Sequence, residues 1–95
     1  MNISYHPAAA QDIVNAAHYH ETQLTGLGAD FLAEVDDAIA DIAEGPERFA
    51  EIDGVRMYLV KRFPYGIYFR CDESSVRILN VKHHRRNPRY GMNRR

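Results

Sequence analysis

The sequence predicts an α+β fold, in which a hairpin of two helices packs on one face of a mostly antiparallel sheet. Two observations lead to this prediction. Residues 54–83 hold three runs rich in β-branched and aromatic side chains, and turn sequences separate them as in an antiparallel meander. Residues 7–44 instead repeat apolar side chains at helical spacing, with an interruption at Thr25-Gly26. A short strand-like segment comes first, so the predicted order is strand, helix, helix, strand, strand, strand.

The first three elements each have a local reason. Asn2–Tyr5 alternates apolar and polar side chains, as a strand does. Pro7 suits the first helical position, because the N–H that proline lacks would have no partner there. A second helix is expected from about Leu27, and Gly45-Pro46 should end it. The short link between the helices predicts an antiparallel hairpin.

The remaining strands should come from the meander, with a polar connection at Glu47–Asp53 leading into it. Its turns are Phe63-Pro64-Tyr65-Gly66 and Asp72-Glu73-Ser74-Ser75. Alternation along its first strand predicts one packed face and one basic face. The apolar set is Val55, Met57 and Leu59, and the other set is Arg56, Tyr58, Val60 and Arg62. The opening strand should join an edge or the middle of this sheet, because helices follow it.

Length and composition limit what the chain can be. Its 95 residues suit one small domain, 1–95, with a basic tail from about residue 84 to residue 95. No apolar run approaches the roughly 20 residues that span a bilayer, and no export leader is recognisable, so a cytoplasmic location is expected. Cys71 is the single cysteine, which excludes an internal disulfide, and its alternation with Ile67 and Phe69 places it in the core.

The charges divide the chain into an acidic half and a basic half. Residues 1–47 carry nine acidic residues and no Lys or Arg, whereas residues 48–95 carry all 12 Lys and Arg against four acidic residues. Such asymmetry indicates an anionic partner for the second half. The alternative is an internal balance, in which acidic helices face away from a basic sheet.

This order of elements, together with several local sequences, resembles the RelE/ParE superfamily of toxins from type II toxin–antitoxin (plasmid stabilisation) modules. The likeness covers almost the whole chain. It is carried by His6-Pro7 with Ala10, Asp12, Ile13 and Tyr19, by Phe31 to Ile42 with Gly45-Pro46, by Arg62-Phe63-Pro64-Tyr65 with Ile67-Tyr68-Phe69, and by Ile78 to His83 with Arg86, Pro88 and Arg95. The resemblance implies a growth inhibitor that a cognate antitoxin, encoded by an adjacent gene, wraps and neutralises.

The superfamily includes two activities on one fold, and the fold does not choose between them. ParE-like members inhibit DNA gyrase and need no nuclease site, whereas RelE-like members cut messenger RNA on the ribosome without a metal. The low overall charge, with a pI near 6.5, favours the gyrase-directed activity slightly. Whether the chain is an enzyme therefore stays open. A non-toxic nucleic-acid-binding module is a further alternative, but Tyr68 and Phe69 alternate across the strand and would not share one stacking face.

If the chain is a ribonuclease, Arg62, His83, Arg86 and Tyr90 are its candidate catalytic residues. Cleavage at the 2′-hydroxyl needs a base, an acid and cations that stabilise the phosphorane. Further cations and one imidazole are candidates for nucleic-acid or antitoxin binding: Arg56, Lys61, Lys82, His84, Arg85 and Arg89.

Each candidate also has a structural interpretation. His83 shares strand parity with Val81 and would then be a hydrogen-bonded histidine at the strand end, Arg62 would pair with an acid, and the arginines of the tail would be solvated. No metal site or cofactor is expected, because His18 and His20 point in different directions on a helix and one cysteine cannot build a zinc site.

Overall fold

The computed structural model describes residues 1–95 and contains the predicted elements in the predicted order, with one further short strand before the meander. The elements are β1 (Asn2–Tyr5), α1 (Pro7–Gln23), α2 (Leu27–Glu44), a single 3₁₀ turn (Pro46–Arg48), β2 (Glu51–Ile52), β3 (Val55–Leu59), β4 (Tyr65–Cys71) and β5 (Ser75–His83). Pro7 begins α1 and Gly45 caps the end of α2, as predicted. The α+β class and the helical hairpin are confirmed.

All five strands form one sheet in the order β1-β5-β4-β3-β2. The neighbours from β5 to β2 are antiparallel, whereas β1 pairs parallel with β5. The opening strand therefore lies at an edge, one of the two positions that the sequence left open. It covers only the first part of β5, because its register ends at Tyr5 opposite Ile78.

The short strand β2 lies in the segment that the sequence analysis predicted to be only a polar connection, so this prediction was wrong there. Ile52 pairs with Val55 across Asp53 and Gly54, whose φ angles of 53° and 80° lie in the left-handed region. An Asp-Gly pair favours this two-residue hairpin turn, since both central residues need positive φ. The signal was present in the sequence.

The expected faces of β3 were inverted. Tyr58 and Val60 are only 6% exposed, whereas Leu59 is 57% exposed. Tyr58 packs edge-on against Phe49 with ring centroids 5.3 Å apart. Arg56 lies on the same side, and its guanidinium donates to the carbonyl of Phe49 at 2.6 Å. The helices therefore cover the face carrying Arg56 and Tyr58, and the face with Met57 and Leu59 is exposed.

The core lies between the helical hairpin and one face of the sheet. A cluster of 15 buried residues contains Phe31 of α2, Phe63, and Ile67 and Phe69 of β4. Cys71 is a free thiol that packs partly buried against this cluster, as its alternation predicted. Neither helix is long and apolar enough to cross a membrane.

Candidate functional site

A polar depression of about 310 Å³ lies between α1, the end of β5 and the C-terminal tail. We call it the polar depression. It is lined by Asp12, Asn15, Ala16 and Tyr19 of α1, by Tyr65 of β4, by Val81, Lys82 and His83 of β5, and by Arg86 and Tyr90 of the tail. Four of the residues predicted from the sequence therefore meet here, namely Lys82, His83, Arg86 and Tyr90.

The depression is built around Asp12, which is only 8% exposed. Its carboxylate accepts hydrogen bonds from the Tyr90 hydroxyl at 2.7 Å, from Arg94 Nη1 at 2.6 Å and from the Val81 N–H at 3.2 Å. Burial alone would lower the pKa of Arg94, but its hydrogen bond to Asp12 raises that pKa above the ordinary value. Asp12 thus caps the part of β5 that β1 leaves uncovered and fixes the tail to α1.

A bulge in β5 turns two polar side chains toward the tail. The register with β4 shifts between Tyr68 and Phe69, so that Asn80 and Lys82 point away from the helices. Lys82 Nζ donates to the carbonyl of Pro88 at 2.7 Å, and Asn80 Nδ2 donates to that of Tyr90 at 2.6 Å. Burial lowers the pKa of Lys82, and the nearby charge of Arg94 adds to this effect.

The end of the tail is docked on the protein, which its lack of periodicity did not reveal. Gly91 has φ +72°, and a Cβ there would lie 2.8 Å from Asn80 Cγ, so glycine suits this position both by conformation and by space. The basic residues Arg85, Arg86 and Arg89 remain exposed. Arg86 lies over the Tyr90 ring, with its guanidinium carbon 3.9 Å from the ring centre.

His83 is half-buried at the end of β5. Its Nδ1 accepts the N–H of Arg85 at 2.9 Å, and its ring packs edge-on against Tyr65 with centroids 5.3 Å apart. This geometry agrees with the structural interpretation of His83 and leaves Nε2 as its unused nitrogen. His84 is exposed, and its N–H donates to the Pro64 carbonyl.

Arg62 lies in a different depression. Its guanidinium pairs with Glu34 at 3.2 Å, and the residues around it are Asp37, Asp41 and Lys61. The structure therefore does not bring Arg62 together with His83 and Arg86. Arg56 is likewise held in place, by the Phe49 carbonyl and by Glu51 at 3.2 Å.

His20 connects the helical hairpin to the base of the polar depression. Its Nε2 lies 3.2 Å from the Tyr65 hydroxyl, and its ring packs on Phe31 and Phe63 with centroids 5.1 Å away. Burial, and then the nearby His83, lower the pKa of His20. Periodicity placed His20 on a helix without indicating this contact.

The lowered pKa of His20 predicts a pH-dependent stability. The unfolded chain takes up a proton at His20 near pH 6.5, whereas the folded protein resists protonation there. The free energy of unfolding should therefore fall as the pH drops below about 6.5, and this loss should be absent above it. Urea denaturation across this range should show a smaller pH dependence for His20→Gln than for His18→Gln, the exposed control on the same helix. Equal slopes would contradict the prediction.

No cluster of three or more His, Cys, Asp or Glu side chains could hold a metal ion. A solved structure of a chromosomal ParDE TA system from P. aeruginosa is similar to this chain, with a TM-score of 0.63 and 23% sequence identity. The match covers 87% of this chain and 95% of that one.

The sequence identifies the family. The sequence-family model described as "ParE toxin of type II toxin-antitoxin system, parDE" matches residues 3–88. The chain therefore belongs to this family. No curated protein sequence gave a significant match. The family confirms the resemblance drawn from the sequence, including its ParE-like interpretation. The protein is the toxin component of a type II toxin–antitoxin module.

Proposed function

We propose that residues 1–95 form one toxin domain that acts in the cytoplasm by inhibiting DNA gyrase, and that an antitoxin encoded by an adjacent gene neutralises it. The observation that carries the proposal is the match to the ParE family over residues 3–88. ParE-like members of the superfamily that this sequence resembles act on gyrase and require no nuclease site.

The geometry of the polar depression supports a non-enzymatic mode of action. Metal-free RNA cleavage needs a free acid, a free base and cations around one phosphate. Here the Tyr90 hydroxyl is bound to Asp12, and Lys82 Nζ is held by the carbonyls of Pro88 and Tyr90. Arg62 lies in the other depression. Tyr90 and Lys82 therefore stabilise the tail, and together with Arg62 they are not arranged around an empty phosphate position.

A RelE-like ribonuclease is the second candidate, and one observation favours it. His83 and Arg86 both line the polar depression beside Tyr65 and Tyr90, and neither makes an ion pair with a carboxylate. A phosphate bound there would meet a cation and one free imidazole nitrogen. The non-toxic module has less support, because Phe69 is fully buried and cannot stack on a base.

Induction of the wild-type protein should distinguish the two activities within one culture. We expect gyrase-dependent DNA breaks with intact messenger RNA, and inhibition of supercoiling by purified gyrase. His83→Ala should retain this inhibition to the same extent as His84→Ala, its exposed neighbour, because neither imidazole takes part in a chemical step.

The opposite result would establish the nuclease. Rapid messenger cleavage with intact DNA, together with a loss of roughly 10²–10⁴ in cleavage rate for His83→Ala and not for His84→Ala, would contradict the gyrase proposal. Arg86→Ala would then also lose rate, through weaker stabilisation of the phosphorane.

A further inference from the structure

The face of the sheet that points away from the helices carries an exposed apolar surface, which we call the outer patch. Its residues surround a concavity of about 560 Å³ and continue along β3. Ile52 is 76% exposed and Leu59 is 57% exposed, and with their neighbours they form a contiguous apolar surface, the kind of surface that marks an interaction site. The outer patch consists of Ile52, Val55, Met57, Leu59, Tyr68 and Met92.

An open strand edge adjoins the outer patch. β2 pairs with β3 only at Val55 and Arg56. The N–H of Val60 donates to the Tyr65 carbonyl. Because antiparallel hydrogen bonding alternates along a strand, the backbone groups of Met57 and Leu59 therefore point away from β4. Such an edge can pair with a further extended segment.

Two arginines and one acidic residue, Asp53, lie around the outer patch, so the charge beside it is positive on balance. Arg70 lines the concavity, and its guanidinium donates to the Gly54 carbonyl at 3.2 Å. Arg77 lies on the same face, since Val76 and Ile78 on either side of it are buried in the core. Neither arginine pairs with an Asp or Glu side chain. Arg77 makes only long contacts, of 3.5 Å each, to the Ser4 hydroxyl and to the backbone oxygen of Arg95. An acidic segment with apolar side chains would complement both the charge and the surface.

We propose that the outer patch and the adjoining edge of β3 dock an acidic, apolar segment of the antitoxin. This inference rests on the proposed neutralisation by an antitoxin and adds where the toxin is bound. A second copy of the chain fits less well, because a symmetric contact would place two surfaces that both carry Arg70 and Arg77 against one another. The polar depression is not part of this surface, since none of its lining residues belongs to the outer patch.

The test uses charge substitutions in the outer patch and matched substitutions on the helices. Ile52→Glu and Leu59→Glu should each weaken binding of the purified product of the adjacent gene by about 10–100-fold, measured by isothermal titration calorimetry, because an acidic side chain would meet an acidic partner. Val14→Glu and Leu24→Glu are the controls, since these side chains are 58% and 64% exposed on the helical hairpin. Thermal melting of all four variants monitors folding, and higher salt should weaken binding by the wild-type toxin.

A second readout separates this inference from the proposed target. Both patch variants should inhibit gyrase as the wild type does, but co-expression of the antitoxin should no longer rescue growth. Unchanged antitoxin affinity in both variants would overturn the docking site. If the variants instead changed only self-association, the patch would bind a second copy of the chain. If they changed only gyrase inhibition, the patch would bind the target. Either result would also overturn the docking site. A wild-type toxin that leaves gyrase active but binds the antitoxin through the patch would contradict the target alone.

Discussion

Replacing Asp12 with alanine should lower the free energy of unfolding by about 3–5 kcal/mol, the range for breaking a buried ion pair by removing one partner. The substitution leaves the Arg94 guanidinium without its carboxylate, although the Arg94 side chain is only 12% exposed. It also removes the acceptor for the Tyr90 hydroxyl and for the Val81 N–H. Urea denaturation of the purified toxin measures the change.

Asp37→Ala is the matched control, because this acidic residue is exposed on α2 and accepts no hydrogen bond from a side chain. We expect a change of less than about 0.5 kcal/mol for it. In a double-mutant cycle, Asp12→Ala and Arg94→Ala should be strongly non-additive, since each removes the same contact. A loss below about 1 kcal/mol for Asp12→Ala, or additive effects, would mean that the tail is not held through this carboxylate.

Phe31→Ala should be similarly destabilising, by about 3–5 kcal/mol, which is typical of deleting a buried aromatic ring. Phe31 is fully buried and joins α2 to the sheet. Its ring lies 4.9 Å from that of Tyr65 and 5.2 Å from that of Phe63, both edge-on. The substitution removes one of the contacts between the hairpin and the base of the polar depression, leaving that of His20, and creates a cavity there.

The neighbouring substitution Leu32→Ala provides the comparison, because Leu32 is 42% exposed on the same helix and both changes end in alanine. Its effect should stay below about 1 kcal/mol. Equal losses for the two variants would show that the destabilisation reflects the helix itself and not the aromatic contact with the sheet.

The elements were predictable wherever one residue constrains the backbone locally. Pro7 and Gly45-Pro46 mark helix ends by conformation alone, and the structure places them there. The turns of the meander are equally local. Asp53-Gly54 belongs to the same class of signal, and recognising it would have predicted β2 as well.

Alternation, in contrast, separates two faces of a strand without saying which one is buried. On β3 both sets contain apolar surface, because Tyr58 is large and the stem of Arg56 is also apolar. Phe49, which packs on Tyr58, decides the matter from outside the strand. Burial of β3 is therefore a property of packing between elements.

The sequence by itself determined the order of the elements, the helical hairpin and the toxin family, since these depend on local conformation and on patterns along the chain. Only the tertiary structure decided the site. Asp12 lies 78 residues from Tyr90 and 82 residues from Arg94, and it still binds both. A contact across nearly the whole chain has no local signature, because the sequence around Asp12 or around Arg94 alone predicts only a solvated polar side chain. For the same reason, Arg62 and His83 occupy separate depressions although both belong to the basic half of the sequence.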